Sequence, residues 1–423
     1  MKNSEITWIG EIPENWDIVP IYKLFSERKN KNSNGIEKNL LSLSYGKIKR
    51  RNIYAKGGLL PESFNTYNIV EPGDIIIRPT DLQNDQHSLR TGLVKEHGII
   101  TSAYICLAPI SNTNSNYYQY LLHSYDIVKV FYNMGNGVRQ GLNYREFSHL
   151  KVLLPSQKEQ KRIADFLDKK CTEIDKLSQQ ITDEIEDLKA YENSLITKAV
   201  TKGLNTNVPM KASGIEWIGK IPENWNFEKL KYLSSCNDET LDDSTRKDYE
   251  FDYVDISSVT FGKGISKYEK MTFETSPSRA RRIVKDGDVI ISTVRTYLKA
   301  IAYIQKHDLP IVVSTGFAVL RPNSKVNKRF FMYATQANTF ISRIEADSYG
   351  VSYPAINADK LVNCGIIVPP KKEQAEVAKY LDEKCAEINK LILQKTRQSK
   401  LIREYKNSLI YDYVTGKKQV PTN

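Results

Sequence analysis

Ser4-Glu-Ile-Thr-Trp-Ile-Gly-Glu-Ile-Pro-Glu-Asn-Trp16 returns 209 residues later as Ser213-Gly-Ile-Glu-Trp-Ile-Gly-Lys-Ile-Pro-Glu-Asn-Trp225, with ten of the 13 positions identical. An internal repeat of this strength settles the architecture before any other reading. Working outward, Pro155-Ser-Gln-Lys-Glu-Gln160 recurs as Pro369-Pro-Lys-Lys-Glu-Gln374, Cys171-Thr-Glu-Ile174 as Cys385-Ala-Glu-Ile388, and Tyr191-Glu-Asn-Ser-Leu-Ile196 as Tyr405-Lys-Asn-Ser-Leu-Ile410. The stretches between these anchors, about 22–150 and 231–364, diverge. They share only a skeleton: Val70-Glu-Pro-Gly-Asp-Ile-Ile-Ile77 beside Val284-Lys-Asp-Gly-Asp-Val-Ile-Ile291, and Asn143 beside Asn357. The chain therefore carries two copies of one plan: a short entry motif, a variable globular block and a long helix.

The variable blocks read as mostly β. Runs of Val, Ile, Thr and Tyr such as Asp74–Arg78 and Asp288–Val294 are bounded by Gly, Pro and Asn. Short helices are expected at Tyr117–Tyr132 and Lys328–Ile344. Each block is expected to be one α+β domain with a curled sheet. The boundaries fall at 1–150 for the first domain, 151–205 for a central helix, 206–364 for the second domain and 365–423 for a C-terminal helix.

Ser156-Gln-Lys-Glu159 has capping-box spacing and opens the first long helix. Beyond it Leu167, Ile174, Ile181, Leu188 and Leu195 fall seven apart, with Ile163, Leu177 and Tyr191 as part of a second stripe. That is a coiled-coil seam. The second copy keeps Leu381, Ile388, Ile402 and Leu409 but places Lys395 where Ile181 stood, a charge that weakens the seam or fixes its register. A helix over 157–202 would be roughly 69 Å long at ~1.5 Å per residue. Packed antiparallel, the two helices predict a pseudo-two-fold molecule in which they separate the two α+β domains.

The chain has 61 Lys and Arg against 50 Asp and Glu, a formal charge of +11, which suits a polyanionic partner. No signal-peptide stretch and no membrane-length apolar window is evident, so a cytoplasmic location is expected. Cys106, Cys171, Cys236, Cys364 and Cys385 are odd in number and without a Cys-x-x-Cys pair, which fits reduced, mostly buried thiols. No catalytic, cofactor-binding or metal-binding residue is assigned. Gly214 to Lys220 has P-loop spacing, but Ile221 stands where a magnesium-holding hydroxyl belongs. The five histidines show no metal spacing, and Asp183-Glu-Ile-Glu-Asp187 reads as a solvated helix face.

Cationic and aromatic residues cluster instead. Lys47, Lys49, Arg50 and Arg51 stand with Tyr45 and Tyr54 in the first block, and Arg279, Arg281 and Arg282 form a second basic run. Such side chains neutralise phosphates, while loop residues read base edges. The loop candidates are Arg78, Gln83, Asn84, His87, Arg90, Arg139 and Gln140, then Arg295, Tyr297, Tyr349, Ser352 and Tyr353.

With its Trp-Ile-Gly-x-Ile-Pro-Glu-Asn-Trp entry, Gly-Asp-x-Ile-Ile strand and Pro-x-x-x-Glu-Gln helix start, the chain resembles the specificity subunits of type I restriction–modification systems over nearly its whole length. The resemblance implies two target-recognition domains that each read half of a bipartite double-stranded DNA site. It implies two methyltransferase subunits and two restriction subunits as partners, with S-adenosylmethionine, ATP and magnesium held by those partners and no cofactor in this chain. Helices would set the spacer and dock the methyltransferase. Gly141 and Gly350 depart from the family's glycine placement before Asn143 and Asn357. The alternatives are a stand-alone DNA-binding regulator, a specificity component of another modification system, an enzyme with an unrecognised motif, or a coiled-coil scaffold.

Overall fold

The computed structural model describes residues 1–423 apart from 55–60, 83, 84, 86, 87, 111, 135–140, 206, 351, 422 and 423. The chain divides into two units: Met1–Thr182 with Arg397–Asn423, and Asp183–Thr396. Both are α+β.

In the first unit the entry motif forms a small antiparallel pair, Lys2–Asn3 with Glu11–Ile12. Asp17–Pro20 then pairs with Lys151–Leu154, so the start and end of the block are stitched together. Between them, among the described residues, lie two four-stranded sheets rather than one curled sheet. One has the order Lys47–Arg51, Leu40–Ser44, Gly98–Ile100, Asn68–Val70; the other runs Phe25–Glu27, Ile105–Pro109, Ile75–Ile77, Thr91–Leu93. Helix α1 (Ser115–Ile127), capped by the Asn114 side chain, packs Tyr117, Tyr118, Leu121, Leu122 and Tyr125 into the core. The short α2 (Tyr144–Phe147) has Asn143 as N-cap and Glu146 closing a capping box. Helix α3 (Gln157–Lys202) spans the 46 residues expected of it.

The second unit repeats this strand for strand. Its sheets run Glu269–Thr272, Glu250–Val254, Ile311–Ser314, Ala280–Val284 and Ser234–Cys236, Phe317–Pro322, Val289–Ser292, Ile301–Tyr303. In both units a single parallel pairing joins the first sheet's two central strands, the other ladders being antiparallel. The expected Lys328–Ile344 helix is two helices, α4 (Lys328–Gln336) and α5 (Asn338–Asp347), broken where Ala337 adopts extended geometry. Asn357 caps α6 (Ala358–Asn363) as Asn143 caps α2. Helix α7 (Lys371–Val414) completes the repeat.

The units differ in their connections. The first hairpin turns on Tyr45 and Gly46, both at positive φ (48° and 75°), as a two-residue type I′ turn requires. Its counterpart is the stretch 255–268, which carries its own strand pair, Val259–Thr260 with Gly264–Ile265. Sequence length is exchanged at the loops while the frame is kept.

The repeated sequence anchors coincide because they bind one another. Trp16 is fully buried and its indole N–H donates to Glu159 (2.9 Å); Trp225 is equally buried and donates to Glu373 (2.8 Å). Gln160 and Gln374 each donate to the carbonyl that opens their helix, Pro155 and Pro369, at 2.8 Å. Ser156 does cap α3, accepting from the Glu159 N–H at 3.3 Å, while the Glu159 carboxylate turns to Trp16. The same tryptophans receive a helix end. A Cβ on Gly416, just past α7, would lie 2.5 Å from Pro13 Cδ; one on Gly203, just past α3, would lie 3.1 Å from the Trp225 ring. Both glycines have positive φ, which strains any other residue, and at Gly416 the close approach adds a steric bar.

In the first unit, α3 Leu167 and Cys171 share a core with α7 Leu409, Ile410 and Tyr413, and Asp175 pairs with Lys406. In the second, α3 Ile196 and Ala199 meet α7 Ala378, Leu381 and Cys385, and Glu192 accepts from Asn389 at 2.9 Å. Rising numbers on one helix meet falling numbers on the other, so the pairing is antiparallel in each. Ile174, Leu188, Leu195 and Ile402 are half-buried in the seam; Ile181 and Ile388 are buried. The expected second stripe is corrected at two of its three members: Ile163 is buried, but Leu177 and Tyr191 are exposed. That stripe runs through Ala164, Cys171, Ser178, Ile185, Glu192 and Ala199, whose small and polar members give no apolar periodicity. Lys395 is accommodated by an ion pair to Glu184 at 2.6 Å.

Candidate nucleic-acid interface

Strand Lys47–Arg51 lies at a sheet edge, where side chains alternate between faces. Ile48 packs against the core cluster of Leu41, Val70 and Ile76. Lys47, Lys49 and Arg51 take the opposite face and reach solvent. Lys47 meets Asp175 at 3.3 Å, and Arg50 pairs with Glu96. Among the described residues, Lys49 and Arg51 have no acidic partner. Tyr45 stands at the hairpin tip, 81% exposed, and Tyr54 is also exposed. The first basic cluster is thus a cationic edge beside protruding aromatics, the chemistry that meets a phosphate backbone.

The second basic run is quenched. Arg279 pairs with Asp255 at 3.0 Å, and Arg281 pairs with Asp243 at 3.3 Å while stacking over Phe273. Arg282 is half-buried, and burial lowers its pKa. These three do not form a free cationic patch.

The loop candidates separate by unit. Gln83, Asn84, His87, Arg139 and Gln140 lie outside the described residues. Arg78 is half-buried and pairs with Asp85 at 3.4 Å. Arg90 departs from the expectation of a base-reading side chain: it is fully buried. Its guanidinium donates to the carbonyls of Thr80, Asp81 (2.9 Å) and Asp85 (2.6 Å) and to the Tyr132 hydroxyl (3.0 Å). Arg90 is therefore the post that ties Thr80, Asp81 and Asp85 together. Beside it Asp126, accepting from the Arg90 backbone N–H, is pushed up to about 6 by burial.

In the second unit the structure brings Arg295, Tyr297, Tyr349, Ser352 and Tyr353 to one loop cluster. Ile356 N–H donates to Thr293 O (2.8 Å), Thr296 N–H to Pro354 O (3.3 Å), and Tyr349 bridges Ala355. These bonds splice Thr293 and Thr296 to Pro354 and Ile356, with Tyr349 paired to Ala355. The Arg295 guanidinium lies 5.0 Å from the Tyr353 ring centroid, and Lys360 Nζ is 4.4 Å from that of Tyr349. Tyr297, Tyr349 and Tyr353 are exposed. Arg295 has no acidic partner among the described residues.

Asp81 was not among the residues singled out from sequence. Leu142 N–H donates to Pro79 O at 3.0 Å as Ile356 N–H donates to Thr293 O, so the two connections superpose in register at an offset of 214. Two residues on, Asp81 (φ 56°) and Arg295 (φ 52°) share a left-handed backbone. Nothing in residue type announces that equivalence; only the bonded frame reveals it.

On the helices, Leu177 and its repeat partner Leu391 are 45% and 46% exposed, and Tyr191 and Tyr405 are 58% and 59% exposed. Four apolar side chains are thus left bare at matched positions. All five cysteines are free, four of them buried, and burial raises the Cys106 and Cys364 thiols to about 11. Among the described residues no cluster of His, Cys, Asp and Glu could hold a metal, and no helix is long and apolar enough to cross a membrane.

A family model described as type I restriction modification DNA specificity domain matches residues 17–187 and again 222–398. A Methanocaldococcus jannaschii protein provisionally assigned as the MjaX type I restriction enzyme specificity subunit is 26% identical over 446 residues, covering 100% of this chain and 98% of that protein. The MjaVIII specificity subunit of the same organism is 24% identical, covering 97% and 94%. A chain from a structure of complex assembly and conformational transition in the type I R-M system matches with TM-score 0.67 at 14% identity. It covers 96% of this chain and 100% of that one, a likeness of fold.

Proposed function

The chain belongs to the family of type I restriction modification DNA specificity domains, carrying the domain twice, and on that premise we propose that it selects the DNA site for a type I restriction–modification enzyme without catalysing a reaction itself. One observation carries the proposal: the same bonded frame, built twice, presents different chemistry in its two units. A cationic hairpin marks the first unit and an arginine–tyrosine cluster the second, and at the equivalent left-handed apexes Asp81 stands against Arg295. Two such readers fit a bipartite, asymmetric duplex, with phosphates met by cations and base edges by the loops.

The helices set the spacer between half-sites. Leu177 and Tyr405 in the first unit, and their repeat partners Leu391 and Tyr191 in the second, supply equivalent exposed docking positions, one set per unit, which fits two methyltransferase subunits. Two restriction subunits complete the assembly. S-adenosylmethionine, ATP and magnesium are used by these partners.

Adenine methylation mapped genome-wide in cells expressing the chain with its methyltransferase is the test. A bipartite motif that disappears when this chain is deleted is expected. A motif that survives the deletion overturns the site-selecting role, and methylation by the purified chain with S-adenosylmethionine alone overturns the non-catalytic one.

A further inference from the structure

The equivalence of Asp81 and Arg295 carries a statement about what each unit reads. Both residues follow the same frame bond by two positions, both are left-handed, and both apexes are pinned by their own carbonyls: Asp85 N–H donates to Asp81 O (3.1 Å) and Leu298 N–H to Arg295 O (2.9 Å). Left-handed geometry is disfavoured for side chains other than glycine, asparagine or aspartate, so an arginine there stands against its backbone preference. Buried Arg90 fixes the first apex through the Asp81 carbonyl; the Tyr353 ring beneath the guanidinium orients the second. The Asp81 carboxylate is exposed, and among the described residues neither it nor the Arg295 guanidinium has an ion-pair partner.

The two side chains are opposites in hydrogen bonding. An ionised carboxylate only accepts, and a guanidinium only donates, through a fork of fixed geometry. In a major groove, a carboxylate matches the cytosine N4 amino group, and a guanidinium matches the O6 and N7 acceptors of guanine. We propose that Asp81 and Arg295 are paired specificity-determining residues of opposite polarity: Asp81 reads a cytosine in one half-site and Arg295 a guanine in the other. The proposal rests on the site-selecting reading above and adds the base that each apex takes.

Selection from a randomised duplex library by the purified full-length chain, at one fixed salt concentration, tests it. Wild type is expected to enrich a bipartite motif. Arg295→Gln should move one position of one half-site from guanine to adenine, because a carboxamide pairs with adenine N6 and N7. Asp81→Asn should move one position of the other half-site from cytosine to adenine. Each change should be on the order of tenfold in preference, leaving the remaining positions alone. Arg295→Lys keeps the charge and loses the fork, so it should bind nonspecific duplex normally while weakening the guanine preference without moving it to another base; this separates readout from a folding defect. Variants that enrich the wild-type motif unchanged overturn the proposal and leave the site-selecting reading standing. So does a loss of affinity that is uniform across sequences, which marks a phosphate contact. A wild-type chain that enriches no bipartite motif overturns both.

Discussion

Arg90 shows how a residue's type can mislead about its place. Its partners are mostly backbone carbonyls, which every residue carries, so nothing in the sequence distinguishes it from an arginine facing solvent. Arg90→Ala leaves those carbonyls unpaired in a buried setting and should cost about 2–4 kcal/mol in urea unfolding, with the Arg78 and Asp85 amides losing protection in hydrogen exchange. Its neighbour Asp126 has a pH signature. A folded-state pKa near 6, above the ordinary value near 4, means the folded form holds a proton that the unfolded form has released. That contribution is present below about pH 4 and lost as pH rises toward about 6. Asp126→Asn keeps an acceptor for the Arg90 N–H and removes the titration. The difference in melting temperature between pH 4 and pH 7 should therefore shift in favour of the neutral side relative to wild type. Trp16 and Trp225, by contrast, were legible at once: ten identical residues in 13 flagged them, and their bonds to Glu159 and Glu373 explain why the entry motif and the helix start recur together.

At the scale of elements, the first stripe of the helical seam was legible because Leu and Ile mark it every seventh residue. The second was not, because Ala164, Ser178 and Glu192 carry no apolar signal while Leu177 and Tyr191 lie outside it. Burial predicts where the seam's stability resides. Leu381→Ala should cost about 2–5 kcal/mol, since Leu381 is fully buried. Lys395→Ile, which restores the residue of the other helix and forfeits a partly exposed ion pair with Glu184, should change stability by no more than about 1 kcal/mol. Urea midpoints of the two variants rank the effects. The edge strand Lys47–Arg51 carries a separate expectation. Replacing Lys49 and Arg51, which have no acidic partner among the described residues, together by Ala should reduce the slope of log affinity against log salt by about 2, without altering half-site preference. An unchanged slope removes this strand from the interface.

Across the whole molecule, duplication and divergence were both legible, while the exchange of loop lengths around a constant two-sheet frame needed the strand register. If the helices set the spacer, removing one heptad from each, in paired positions, shortens both by roughly 10 Å. The methylation motif should then lose about 3 bp of spacer and keep both half-sites, at ~3.4 Å per base pair. A motif with altered bases instead places recognition in the helices. The seating of Gly416 against Trp16 has a consequence in time. The second unit is one continuous stretch, Asp183–Thr396, whereas the first needs Arg397–Asn423 as well as Met1–Thr182. As the chain emerges from the ribosome, the half made first is finished last: its tryptophan pocket waits for the final residues while the later half has already closed. A released chain truncated after Thr396 should be protease-resistant in the second unit and cleavable in the first.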